Sequence, residues 1–406
     1  MDDAPLPALD RFDIVSPAAR SQIHAIYREM RAAGPIHRFT DPLSKKPSWV
    51  VLSFDGALEV LRNSLSFIRD ETQLAEGKPR GPLPRGLELV FGDMVHKDPP
   101  EHTRLRQLIN RAFTTRVVEG LRGRVQAIVQ RLLDAVEGRD EFDLVADFAL
   151  PLPVTVISEM LGLSHEVRGQ VQGWAVDAFS DDFARTIAAL NNLRDLVDPL
   201  VALREAEPGD DLISALIHAR TANGERLRRE ELHSMVLLVL FAGFETTVNQ
   251  IGNGFLALGG APEARRRMIA APETAIPPAI EEMLRFDGPA DLASVRFAAV
   301  DVEIEGVMIR AGEQVFPSLL AANRDPAVFA DPDRFNIDRD TRNHIAFGSG
   351  VHSCVGAPLA RLELFEAFSG LFARRPGLAL AVAPEALEWK PSRMLHGLVS
   401  VPVRGR

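Results

Sequence analysis

A mainly α-helical fold with small β-sheets is the class the sequence predicts, and three observations carry it. Residues 116 to 205 read as mostly helical, and residues 229 to 258 form the longest helical run. Short runs that read as strands, Ile36–Phe39, Trp49–Leu52 and the hairpin Val302–Ile309, are few and brief. A further helical stretch (Leu359, Leu362, Leu364, Phe365, Phe368, Leu371) follows Cys354, the single cysteine of the chain.

Taken in order, residues 18 to 33 predict a helix through Ile23, Ile26 and Met30, ended by Gly34-Pro35. The strand pair comes next, then a helix over Phe54–Leu61. From Asn63 to Val95 the density of Gly and Pro excludes long regular structure, and a loop of that length in a compact protein is usually functional or disordered. Asp98-Pro-Pro-Glu-His102-Thr-Arg-Leu-Arg106 opens a helix with His102 and Arg106 four apart on one face, a spacing suited to two donors reaching one anion. Residues 116 to 205 read as helices interrupted near Gly138, Pro151 to Pro153, Gly162 to Ser164 and Asp181-Asp182, with Trp174, Phe179 and Phe183 flanking the last break.

At the centre of the longest run, Leu240-Phe-Ala-Gly243-Phe-Glu245-Thr246-Thr247 weakens the helix, because a Thr hydroxyl bonding back to a carbonyl one turn earlier bends the rod. An acid beside an alcohol there suits proton delivery to a buried site. Glu282-Met-Leu-Arg285 is an i,i+3 ion pair. Pro289 to Arg296 reads as extended, and the hairpin turns near Glu305-Gly306.

Phe347-Gly-Ser-Gly-Val-His352-Ser-Cys354-Val-Gly356-Ala-Pro358 is the densest stretch. Gly348 and Gly350 allow tight turning, Gly356 lets the backbone pass close to something flat, and Pro358 suits a first helical turn. The sulfur therefore precedes a helix N-terminus, which favours a thiolate. One thiolate cannot build a structural zinc or iron–sulfur site, but it can be the sole protein ligand of a haem iron. The plain alternative is a small buried hydrophobe.

Composition narrows the functional classes. With 46% hydrophobic residues there is material for a large core, and no linker or repeat divides the chain, so one domain over 1–406 is expected. A formal charge of −10 without a basic tract disfavours nucleic acid. No signal-like leader or membrane-length apolar run is read, and one cysteine excludes an internal disulfide, so a soluble cytoplasmic protein is expected, monomeric by default.

The pattern Phe347-Gly348-x-Gly-x-His352-x-Cys354-x-Gly356-x-x-Leu-Ala-Arg361 resembles the haem-binding loop of the cytochrome P-450 superfamily without departure, and the likeness runs through nearly the whole chain. It implies the cytochrome P-450 fold, a triangular prism with a long central helix over haem b and the Cys loop and following helix beneath. Cys354 would be the iron ligand; Phe347, Gly348, Gly356 and Ala242 would lie against the cofactor; His102, Arg106, Arg296 and His352 would hold its propionates. Glu245 and Thr246 match the oxygen-activation motif. Glu282 and Arg285 match the bracing Glu-x-x-Arg, with Arg334 as third partner and Arg324 as competitor.

By position the resemblance also implies a substrate pocket from Ile68, Leu87, Phe91 and Met94, from Phe179 on the lid, from Leu238 and Phe241 on the long helix, from Asp291, Leu292 and Ala293, and from Met394, Leu395 and His396 near the C-terminus. Asp291 would bind a cationic group there or cap a turn. The implied activity is hydroxylation or epoxidation of a mainly hydrophobic small molecule, a secondary metabolite, using O2. Electrons would come ultimately from NAD(P)H through a ferredoxin reductase and a ferredoxin docked near Arg104, Arg111 and Arg361. A family member catalysing desaturation, ring coupling or peroxide-driven oxidation is the alternative within enzymes, and a non-catalytic haem sensor or carrier the alternative outside them.

Overall fold

The structure, a computed structural model, describes residues 12–41, 44–74, 81, 83–178 and 182–405. The longest apolar run folds as two helices end to end, Arg229–Ala242 and Glu245–Gly259, on one interrupted axis. By length and composition this span would suffice to cross a membrane, which the sequence reading did not expect, but 72% of its apolar window is buried inside the protein. It is a core helix. The first half packs against Leu87–Phe91 and Phe183–Ala206, the second against Pro272–Phe286 and Ala357–Arg374.

The main core joins these helices through Leu237, Ile251, Phe255, Met283, Phe368 and Leu371, all nearly inaccessible. Each such side chain contributes about 1.5–3 kcal/mol by leaving water. A second apolar cluster, with Ile23, Tyr27, Met30, Phe39, Leu52 and Phe316, seats the N-terminal helix Ile23–Ala33 on the larger sheet.

In that sheet Ile36–Thr40 runs antiparallel to Pro47–Val51, which lies parallel to Gln314–Pro317; Arg296–Ala298 and Phe67–Ile68 follow, each antiparallel to its neighbour. The register sets Phe67 opposite Ala298 and Ile68 opposite Phe297, so one step further the sheet carries Arg69 towards Arg296. The hairpin Val302–Ile304 with Val307–Ile309 turns at Glu305 and Gly306, both at positive φ.

Two expectations are corrected. Pro151 and Pro153 start the helix Pro151–Met160 instead of interrupting one, because a first helical turn needs no N–H from proline. The irregular region before it contains a strand, Glu141–Asp143, whose partner Pro402–Arg404 lies at the far end of the chain.

Candidate functional site

The cysteine loop is held from several sides. Cys354 N–H donates to the Phe347 carbonyl at 2.9 Å, and Gly348 N–H to Ile345 at 2.8 Å. Gly350 has φ +72°, and a Cβ there would come within 2.4 Å of the Leu61 carbonyl oxygen, so the helix Phe54–Arg62 presses directly on the loop. Beyond the sulfur, Gly356 caps the helix Ala357–Arg374. A Cβ on Gly356 would project to 3.9 Å from Sγ, into the space beside the sulfur.

The Cys354 side chain is accessible and lines a cavity of about 470 Å³ shared with Glu281, His344, Phe347 and Arg361. Enclosure by the loop pushes its thiol above the ordinary value; N–H groups of Gly356 and Ala357 and the guanidinium groups of Arg106 and Arg361 pull the other way without prevailing. A metal ion held by this sulfur would favour its thiolate form.

Cations gather on one side of this loop. His102 is buried and both its ring nitrogens lack hydrogen-bond partners; its ring lies 4.2 Å from that of His352, whose Nε2 is also buried and unpartnered. Arg296 and Arg69 are each 4% exposed, and Arg106 Nη1 donates to the Ser353 carbonyl at 2.6 Å. Burial, reinforced by Arg106 and Arg296, drives the His102 imidazole down to about 4, and burial lowers Arg296 to about 9, Arg69 helping there. Burial and the same neighbours lower His352 as well. Two buried guanidinium groups, Arg69 and Arg296, with Arg106 beside them and only Asp93 and Asp98 in opposition, suit an anion at this place. Arg69 was missed in the sequence because the sheet register, not local spacing, brings it here; it is held by the Val95 and Val295 carbonyls.

The central helix breaks at Gly243-Phe244. A Cβ on Gly243 would meet the Val239 oxygen at 2.7 Å and Ile157 Cδ1 at 2.8 Å, so only glycine permits the close crossing of the helix Pro151–Met160. Thr246 Oγ1 donates to the Ala242 carbonyl at 3.1 Å, the back-bond that bends a helix. Ala242 is exposed although its helix is otherwise mostly buried. Glu245, buried, accepts from Lys390 Nζ at 2.6 Å, and the same ammonium donates to Asn249 at 3.0 Å. Lys390 sits in the C-terminal segment with no motif around it, and nothing in the sequence singles it out.

The brace differs from expectation in one partner. Arg285 grips Glu282 through two bonds of 2.7 and 2.8 Å, with both side chains fully inaccessible. The third arginine is Arg339, 3.3 Å from Glu282, not Arg334, which is exposed and offers only its carbonyl. Arg324 instead lies over the Phe286 ring and pairs with Asp333. Arg285 donates to the Asn323 carbonyl, and the Asn323 side chain accepts Ile345 N–H, which links the brace to the cysteine loop.

Of the substrate candidates, Leu87, Phe91, Leu238, Phe241, Ala293 and Leu395 are half-buried and Met394 is exposed. Ile68 and Met94 are buried, and Leu292 packs in the N-terminal cluster. Asp291 is a correction: it is fully inaccessible, bound to Arg20 at 2.5 Å, Tyr27 Oη at 2.6 Å and Ser318 Oγ at 2.9 Å. Its carboxylate neutralises a buried arginine, and both side chains are shut off from solvent. His396 is likewise buried. Phe179 lies outside the described residues. Among the expected docking cations, Arg104 is taken by Glu231 and Arg361 by Glu281, while Arg111 is exposed.

One buried group stands apart. Burial raises the Glu363 carboxyl to about 8, with Thr247 offsetting only in part. The folded protein thus holds a proton that the unfolded chain releases above its ordinary 4.5. This contribution to stability is complete below that value and is lost as pH rises through about 8. Melting temperatures of wild type and Glu363→Gln across this range are expected to diverge, the wild type losing stability towards alkaline pH and the variant keeping it.

A flat dianion with a single sulfur ligand is the group that the loop, its glycines and the unpartnered imidazoles fit, which places the protein in the haem-thiolate class. Comparison with known proteins agrees. Residues 175–374 match the family described as Cytochrome P450. The chain is 42% identical over 386 residues to cytochrome P450 monooxygenase PikC of Streptomyces venezuelae, covering 94% of this chain and 90% of that protein. It is 38% identical to the polyketide biosynthesis cytochrome P450 PksS of Bacillus subtilis, over 93% and 95% of the two chains. The solved structure of PksS superposes with a TM-score of 0.90, at 37% identity and with 97% and 99% covered. The chain belongs to the cytochrome P450 family. It is a monooxygenase with a haem-thiolate cofactor, using O2 and electrons derived from NAD(P)H through redox partners, and it acts on a small molecule.

Proposed function

We propose that this monooxygenase hydroxylates or epoxidises a mainly hydrophobic secondary metabolite, with Cys354 as the iron ligand and Glu245 and Thr246 managing protons. Polyketides are the class to screen first, since the names of PikC and PksS describe a monooxygenase and a polyketide biosynthesis enzyme. The half-buried apolar side chains Leu87, Phe91, Leu238 and Phe241 support a hydrophobic substrate. His102, Arg106, Arg296 and His352, joined by Arg69, hold the propionates. The haem supplies the oxygen chemistry when bound, placing one atom of O2 in the substrate and the other in water.

The observation that carries the reading is the opening in the central helix beside Ala242. There the Thr246 hydroxyl bonds back to Ala242, and the residue before it, Glu245, is a buried acid whose ammonium partner, Lys390, is 29% exposed. Lys390 is the solvent end of this route, Glu245 the relay and Thr246 the terminal donor. The electron donor is a ferredoxin served by a flavin reductase, with Arg111 the exposed cation for an acidic partner. The protein works as a soluble cytoplasmic monomer.

Turnover with a ferredoxin, its reductase and O2 tests this. Thr246→Ala is expected to keep consuming NAD(P)H while its product-to-NAD(P)H ratio drops at least about tenfold. Unchanged coupling removes the role of Thr246, and equal turnover with peroxide alone points to a peroxygenase.

A further inference from the structure

Away from the cysteine loop, three side chains from distant parts of the chain meet: His24 on the helix Ile23–Ala33, Asp287 just past the helix Pro272–Phe286, and His396 near the C-terminus. Asp287 Oδ1 lies 2.7 Å from His24 Nε2 and 3.1 Å from His396 Nε2. One ligand atom of each lies within 4.8 Å of the other two. Asp287 and His396 are buried, whereas His24 is half-buried and leaves a way in from solvent.

His396 is 1% exposed, and neither of its ring nitrogens makes an aligned hydrogen bond, although Nε2 points at the Asp287 oxygen. A buried imidazole left in that condition is costly unless something accepts its lone pair. Its plane is set by stacking on Trp389, 4.1 Å between centroids and 13° apart. The backbones of two of the three residues are fastened together, because Asn253 Nδ2 donates to the carbonyls of Asp287 and His396 at 3.3 and 3.0 Å. Of the nearby guanidinium groups, Arg20 pairs directly with Asp291 and Arg324 with Asp333, and Arg324 also feels the Asp287 charge.

We propose that His24, Asp287 and His396 form a binding site for one divalent ion of the zinc type, separate from the haem iron, that staples the N-terminal helix to the C-terminal loop. Two imidazole nitrogens and one carboxylate oxygen are a donor set that suits Zn2+, with water completing the coordination from the His24 side.

The test uses the haem-loaded protein. After equilibration with Zn2+ and removal of loosely held metal, wild type is expected to retain one zinc per chain besides the haem iron, and a chelator is expected to lower its melting temperature. His24→Gln should bind zinc at least about tenfold more weakly and melt alike with and without chelator. His396→Phe, which keeps a ring against Trp389 but removes both nitrogens, should do the same. Wild type that takes up no zinc, or either variant retaining zinc as wild type does, overturns the proposal.

Discussion

Cys354→Ser is expected to abolish the red-shifted Soret band of the reduced, carbon monoxide-treated protein and to bring O2-dependent turnover to background. Sulfur donates electron density that an alcohol oxygen does not, and that donation favours O–O cleavage. Substitution should not empty the site, because the groups expected to hold the propionates, Arg296, His102 and Arg106, are set by the sheet and by the helix Glu101–Asn110 and not by the sulfur. The variant should therefore still carry haem, with an altered spectrum. A retained band or retained turnover would remove Cys354 as the ligand and, with it, the functional reading.

The largest effect on stability is expected from Glu282→Gln. Glu282 and Arg285 are fully inaccessible, and Glu282 also accepts from Asn336 N–H and Arg339. Removing the carboxylate charge leaves two arginines without their shared counter-ion, and breaking a buried pair from one side costs about 3–5 kcal/mol. Chemical denaturation should register a loss of that order, together with poorer haem retention, since Arg285 connects through Asn323 to Ile345 ahead of the cysteine. As a control, Arg342→Gln at an exposed pair with Asp340 should leave the denaturation midpoint where it is. A midpoint unmoved in Glu282→Gln would show that the brace is dispensable.

What could be read without coordinates was whatever the chain states locally. The loop from Phe347 to Arg361 announces its chemistry because turning, ligation and helix start must follow one another within a few residues. The break at Gly243 and the back-bonding threonine are equally local. Arg69, Lys390 and Arg339 were not visible, since each reaches its partner through sheet register or a returning segment that no periodicity records. Asp291 went wrong for the same reason: an acid in an extended run beside an expected pocket looks like a wall residue until Arg20 is placed against it. The strand Glu141–Asp143 was too short to leave a pattern and depends on residues 402–404 for its pairing.

That pairing of Arg20 with Asp291, 271 positions apart, has a bearing on how the molecule is made. Arg20 leaves the ribosome long before the carboxylate and the Leu395 carbonyl that receive it have been synthesised. Until then the guanidinium has no counter-ion to receive it, so the helix that carries it can take its seat only after those residues have emerged.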